Sequence, residues 1–586
     1  MTLKRPLMLG TSLALLAASL ASMASVAPLA SVAQDVARED TVIFDLDRTI
    51  RTPENFNWFT PGTKRLHGAH QAMWEPLFIL NYNTGSLDPW LASGIEPNAD
   101  FTQWTLTLRE GVEWSDGETF DADDVVFTVN LALGNEDLSS REAATLRAQV
   151  ASVEKTGDLE VQFTLNAGNP RFAVENFGIR VFGSFLIMPE HIWADQDAAT
   201  FEFYPPIGTG PYTYSSGASD RMIWDRNDDW WGAKTGFMDL PEPLRLIWLE
   251  TGGEESRAQL ISSNGLDAAQ NVTLGTFEAI QAQNPNVIAW YDDYPFSAAD
   301  PCARQLEINT TVAPWDDANL RRAVAQLIDR QQIVNVAYEG TTSASETLFA
   351  QYGSMAPFAS AIIDAGYGLS ATADVAAGQA LIEAAGYTLG SDGYYAKDGE
   401  VLDVDIHVNS ASTEYTKTID VVVEQLNRAG IAARAVPVEN GVFWGEVLPF
   451  GAYEMSYSWL SCGSVNEPWT SMGRYTVADV VPVGERSPGF NNTARWDDDS
   501  AVAYSALVDQ MRSLAIDDPA LVELVAQAAE HLDAGTPFIP LVQAAKLLPM
   551  NETYWTGWPT ADNYYNHPFF WWNHTHQIIH NLERAE

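Results

Sequence analysis

Two cysteines in 586 residues leave little room for sulfur chemistry. Neither Cys302 nor Cys462 lies near the N-terminus, which excludes a lipid anchored through an N-terminal cysteine. Basic residues are also scarce. Lys and Arg number 32 against 78 Asp and Glu, for a net charge of −46. Such a surface repels phosphate backbones and anionic headgroups, so nucleic-acid and membrane-surface roles are excluded. The acids are spread along the chain rather than gathered in a tail. This is a solvated surface suited to a salt-rich exterior, where screening softens self-repulsion. Catalytic signatures are missing as well: there is no phosphate-binding loop, no His-Glu-x-x-His and no Gly-x-Ser-x-Gly. Gly208-Thr209-Gly210 lacks the third glycine of a dinucleotide turn and runs straight into Pro211. Beyond the apolar stretch from Leu7 to Leu20, no run approaches the length of a membrane span.

What is present is apolar and aromatic. The chain is 46% hydrophobic, and the 20 tryptophans are too many to be incidental, so some are expected to line a binding surface. The length implies two to four domains. Lys4 and Arg5, the apolar stretch and the small residues ending at Ala33 read as a secretory signal peptide over 1–33. The expectation is an exported, soluble, periplasmic protein that is not a lipoprotein. In an oxidising compartment Cys302 and Cys462 are candidates for a disulfide, with two buried thiols as the alternative.

Strand and helix patterns alternate throughout, which points to an α/β architecture of mixed sheets. Residues 41–48, 244–251, 305–310 and 402–409 read as strands. The spacing of Leu320, Ala323, Val324, Leu327 and Ile328 predicts one helix over Asp317–Tyr338, capped by Asp316 or Asp317. A second helix, over 416–429, is stopped by Gly430. The best-punctuated unit is 104–131. Trp104, Leu106 and Leu108 alternate with polar residues, Asp116-Gly117 turns, and Asp121-Ala122-Asp123-Asp124 opens a helix continued by Val125, Val126 and Phe127.

That last segment, WTLTLREGVEWSDGETFDADDVVFTVNL, resembles one typical of the family 5 extracytoplasmic solute-binding proteins of ABC importers. The turn Gly208-Thr209-Gly210-Pro211-Tyr212 and the stretch from Asn309 through Pro314, Asp317 and Arg322 to Asp329-Arg330 are similar to further segments of that family. The resemblance implies a two-lobed binding-protein fold with an extra subdomain inserted in the first lobe. Lobe I is expected from 34–75, 196–305 and 541–586, the insertion from 76–195, and lobe II from 306–540. Hinge strands are expected near Leu306–Thr310 and Thr536–Gln543. Gly208, Gly210 and Pro211 are assigned to backbone shape.

The aromatic clusters carry the reading of the cargo. Phe56, Trp58, Phe59 and Trp74 form one. Phe443, Trp444, Tyr457, Trp459 and Trp469 form another, and a third runs from Tyr554 to Trp572. Flat indoles suit the apolar faces of pyranose rings, while amides and carboxylates pair with hydroxyls. The C-terminal aromatic wording also resembles the oligosaccharide-binding branch of the family. Expected ligand contacts are therefore Trp58, Trp74, Trp444, Trp459 and Trp469 for stacking, and Asn57, Glu75, Asn466 and Glu467 for hydroxyls. Peptide-binding members carry an aspartate for the peptide ammonium where this chain has Cys462, which leaves Glu467 as the substitute. His574, His576 and His580 sit at a spacing that suits a transition metal, although nothing completes the set.

The expected function is capture of an oligosaccharide by hinge closure and delivery to ABC importer permease subunits, by a monomer without catalysis or cofactor. The alternatives are an oligopeptide or dipeptide carrier, a metal-chelate carrier depending on those histidines, and a secreted glycoside hydrolase.

Overall fold

The computed structural model describes residues 36–46, 49–60, 68–138, 140–179, 184–571 and 575–586. The leader expected over 1–33 lies outside them. The first strand among the described residues is β1 (Thr41–Leu46), and an antiparallel four-stranded sheet follows from β2 (Ala92–Pro97), β3 (Gln103–Leu108), β4 (Val150–Gly157) and β5 (Glu160–Leu165), in the order β2-β3-β5-β4. Helices α1 (Ala122–Gly134) and α2 (Arg141–Gln149) join β3 to β4. In β3 the side chains of Trp104, Leu106 and Leu108 are buried and those of Gln103 and Thr107 are exposed, as period-two patterning requires. Asp121 caps α1 in a reciprocal arrangement with Asp124, which satisfies donors at the helix start.

Lobe I resumes with the hairpin β6 (Tyr212–Ala218) and β7 (Arg221–Arg226), followed by β8 (Arg245–Glu250), α3 (Glu254–Ser262) and α4 (Leu274–Gln283). β8 pairs parallel to β1 and antiparallel to β7, giving the order β1-β8-β7-β6. The turn before β6 leaves no room for side chains. A Cβ at Gly208 would stand 2.3 Å from the Met73 carbonyl oxygen, and one at Gly210 would stand 2.5 Å from that of Ala72. An aromatic core containing Trp58, Trp74, Trp224, Trp248 and Trp555 fuses lobe I with the insertion.

Lobe II is built on a five-stranded sheet. β9 (Arg304–Ile308) leads into helices α5 (Ala318–Leu327) and α6 (Arg330–Ala337). Then come β10 (Asp403–Asn409), α7 (Thr413–Ala429), β11 (Ala432–Val438), β12 (Met455–Ser458) and β13 (Phe538–Val542), in the order β11-β10-β12-β9-β13. The single helix predicted over Asp317–Tyr338 is two. Ile328 is extended, and Asp329 caps the second helix by accepting from the Gln332 N–H while its own N–H donates to Gln425. A side chain able to cap has broken a continuous apolar period. α7 does end at Gly430, which has φ 102°.

β9 and β13 are hydrogen-bonded to each other, Leu306 opposite Ile539, and both are buried along their whole length. They carry the chain into and out of lobe II side by side. No helix among the described residues is long and apolar enough to cross a membrane.

Candidate functional site

A cavity of about 1420 Å³ lies between the lobes. Lobe I contributes Thr49, Arg51, Thr52 and the starts of α3 and α4, the insertion contributes the start of α2, and lobe II contributes the start of α7 together with Tyr338 and Asn440. The cavity therefore adjoins the carboxyl end of β10, where open α/β sheets present loops to ligands. Its floor is charged. Glu414, in the first turn of α7, accepts from Arg304 Nε at 2.8 Å and from the Tyr338 hydroxyl at 2.7 Å, and Lys546 Nζ lies 3.5 Å from its other oxygen. Burial alone would push this carboxyl up, but the Arg304 and Lys546 charges hold it down at about 2. On the opposite wall Arg257 is fixed by Asp45 at 2.5 Å, which also accepts from Thr251 and from the Gln270 N–H.

Of the aromatic side chains expected to meet ligand, Trp444 and Trp459 come together. Their ring centroids are 5.0 Å apart and their planes cross at 62°. Both are partly exposed. Trp459 follows the last residue of β12. Trp444 lies one turn beyond Asn440, on a π-helical segment, Phe443–Val447. Single π turns of this kind are rare and concentrate at functional sites. Phe443 and Phe490 back the pair.

The remaining expected contacts are placed elsewhere, each for a visible reason. Trp58 and Trp74 meet edge to face at 5.9 Å inside the lobe I core and are 1% and 2% exposed. Asn57 donates to the Ala198 and Phe201 carbonyls and accepts from the Phe59 N–H, so its amide serves its own loop. Glu75 accepts from the indoles of Trp90 at 3.0 Å and Trp231 at 2.8 Å. Burial raises its carboxyl to about 7 despite those bonds. Asn466 donates to the Gly85 carbonyl, and Glu467 is buried against Arg171 of the insertion. Trp469 lies beneath the guanidinium groups of Arg171 and Arg512. Asn466, Glu467 and Trp469 thus belong to a contact between the insertion and lobe II rather than to the cavity.

Trp572 and His574 lie outside the described residues. His576 bonds the Trp74 carbonyl at 2.7 Å, and His580 packs on Trp230. Burial, then the neighbouring His576, depresses His580 to about 3. Among the described residues no group of three His, Cys, Asp or Glu side chains is placed to hold a metal. Cys302 and Cys462 are joined in a disulfide. Sequence reasoning missed the cavity's own charged lining. The available signal was Gly252-Gly253 ahead of an acidic helix start, a helix opening with no side chain to cap it.

Residues 86–479 match the family model described as bacterial extracellular solute-binding proteins, family 5. The chain belongs to that family. Family 5 proteins bind solutes and are not enzymes. Among curated relatives, the nickel-binding periplasmic protein of Escherichia coli is 29% identical over 60% of this chain, and the alignment spans 63% of that protein's length. A di/tripeptide-binding protein of Pseudomonas aeruginosa is 23% identical over 79% of this chain and 82% of its own. Among solved structures, a periplasmic oligopeptide-binding protein of Thermotoga maritima superposes with a TM-score of 0.77 at 23% identity, covering 94% of this chain and all of that one. NikZ of Campylobacter jejuni gives 0.70 at 18% identity, covering 93% and 99%. These two likenesses are of fold. The family 5 architecture of two lobes around a cleft is the one described above.

Proposed function

We propose that this protein captures an oligosaccharide outside the cytoplasm and delivers it to the permease of an ABC importer, working as a monomer. The observation that carries this reading is the pair Trp444 and Trp459. Two partly exposed indoles crossing steeply at the end of a lobe II strand offer apolar faces in two directions, the surface that a short chain of pyranose rings requires. The cavity between the lobes, whose lining includes Asn440 but neither indole, carries hydroxyls, amides and charges suited to sugar hydroxyls. The Thermotoga structure of the same fold has mannohexaose bound, so this architecture accommodates a sugar chain.

The peptide alternative loses both of its candidate anchors. Cys462, which stands where peptide binders carry aspartate, is tied to Cys302. Glu467, the substitute, is engaged by Arg171 and by the backbone N–H groups of Trp469 and Thr470. A peptide ammonium placed there would be buried without a counter-charge. Capture proceeds by bending at β9 and β13, which brings the α7 wall toward the α3 and α4 wall.

Titration calorimetry with di- to hexasaccharides, dipeptides and nickel chelates tests the proposal. Binding is expected for a saccharide and to weaken strongly in Trp444→Ala. Binding of dipeptides or chelates with no saccharide response overturns it.

A further inference from the structure

Residues 484–495 fold over the segment that carries Trp444. The Gly484 and Ser487 N–H groups donate to the Phe450 and Pro449 carbonyls, each at 2.8 Å. Arg486 donates to the Gly445 carbonyl, inside the π-helical turn, at 3.1 Å. Its guanidinium lies 5.9 Å from the Phe450 ring centre and 5.6 Å from that of Phe490. Phe490 in turn stands against Trp444, with 6.1 Å between centroids and the planes crossing at 77°. The ring is partly exposed, as Trp444 and Trp459 are.

The backbone of this loop is strained. Three of its residues other than glycine, Phe490, Asn492 and Arg495, lie in the left-handed region at φ 62°, 41° and 60°. Two of them are pinned from within. Asn492, fully buried, donates to the Thr476 carbonyl at 3.0 Å and to that of Trp496 at 2.9 Å, and accepts from the Trp496 N–H at 2.9 Å. Arg495, equally buried, donates to the Pro449 carbonyl at 3.0 Å, to the Glu485 carbonyl at 2.8 Å and to the Ser487 hydroxyl. Phe490 has no polar side-chain atom to anchor it in this way. Gly489 beside it holds a similar φ, 58°, without the clash that a Cβ brings. A bulky side chain in that region is an outlier, and such strain gathers at binding sites, where the side chain is needed in that place.

We infer that Phe490 is a further ligand-contacting residue, a third ring beside Trp444 and Trp459. This rests on the sugar reading above and adds a residue to the same platform. The inner bonds of Asn492 and Arg495 hold the loop, the loop sets the phenyl ring steeply on the Trp444 indole, and the ring's partly exposed surface meets an apolar sugar face. Phe490 also packs on the small core of Phe443, Leu448, Tyr453 and Leu460. That packing requires an apolar side chain, whereas stacking on a pyranose requires an aromatic one.

Calorimetry of the whole protein with mannohexaose and with cellohexaose, together with the melting temperature of the unliganded protein, tests the inference. Phe490→Leu keeps the packing and loses the flat face, so it should hold the melting temperature and weaken the hexasaccharide roughly five- to tenfold. Phe490→Gly relieves the left-handed strain, so it should melt no lower than wild type while binding as weakly as the leucine variant. Phe490→Tyr, which restores an aromatic face, should bind like wild type. Leucine and glycine variants that bind as tightly as wild type overturn the inference and leave the sugar reading intact. So does a tyrosine variant that binds as weakly as the leucine one. If wild type binds neither hexasaccharide while dipeptides or nickel chelates bind, the sugar reading falls and this assignment with it.

Discussion

Arg171 of the inserted subdomain and Glu467 of lobe II form a fully buried ion pair, Nε to Oε2 2.7 Å. Arg171 also donates to the carbonyl oxygens of Arg512 and Leu514, so the insertion holds lobe II at a point remote in sequence from both crossing strands.

Removing one partner leaves the other charge buried and unpaired. Glu467→Ala is therefore expected to cost about 3–5 kcal/mol, whereas replacing both residues with apolar ones, Arg171→Met with Glu467→Leu, recovers most of it. Urea denaturation of the single and double variants is the measurement. A single variant as stable as wild type would show that the pair contributes nothing.

Acid and neutral pH act on different carboxyls with opposite sign. Glu414 is held at about 2, below the ordinary 4.5, so its contribution is complete above pH 4.5 and is lost as pH falls toward 2. Glu75 and Glu307 are raised by burial to about 7, so the native state favours their protonated forms. Their contribution is complete below pH 4.5 and is lost as pH rises toward 7, by up to about 3 kcal/mol each. Glu414→Gln should flatten the acid limb of a stability–pH curve, and Glu75→Gln the limb between 4.5 and 7. Curves that superpose on wild type contradict these assignments.

The disulfide joins residues 160 positions apart in sequence. Closing so long a loop restricts the unfolded chain, so the double Cys302→Ser, Cys462→Ser variant should lose about 3–5 kcal/mol. Chemical denaturation with and without reductant reads this directly. Reductant should act on wild type and leave the variant unchanged.

At −46 the surface repels itself in dilute buffer. Raising sodium chloride from low to about 0.5 M shortens the screening length several-fold and is expected to raise the melting temperature by several degrees. A melting temperature independent of salt removes the reading of the charge as a salt adaptation.

Truncating the partly exposed indoles separates binding from stability. Trp444→Ala and Trp459→Ala should each weaken saccharide binding by about tenfold or more with a small change in melting temperature. Trp58→Ala, in the core, should instead cost about 3–5 kcal/mol of stability. The reverse pattern would move the site away from the π-helical turn.

Much of this architecture was legible in local wording. Asp121 through Asp124 announced a capped helix, and a capped helix is there, because capping is decided within a few residues. Gly430 stopped α7 for the same reason. The site was legible only in part. Trp444 and Trp459 stood out by residue type, but so did Trp58 and Trp74, and nothing local separates an indole that faces a cleft from one in a core. Glu75 illustrates the limit. Its indole donors come from positions 90 and 231, brought together by the insertion's topology. The cavity's cations are equally dispersed, from Arg51 to Lys546, and only the crossing of the two lobes assembles them.

Glu414 joins three parts of the molecule that have separate tasks. It opens the helix that walls the cavity, while Arg304 grips it from the start of one crossing strand and Lys546 from just beyond the end of the other. One carboxylate thus ties both strand crossings to the wall of the cavity, so that none of the three is anchored independently of the others.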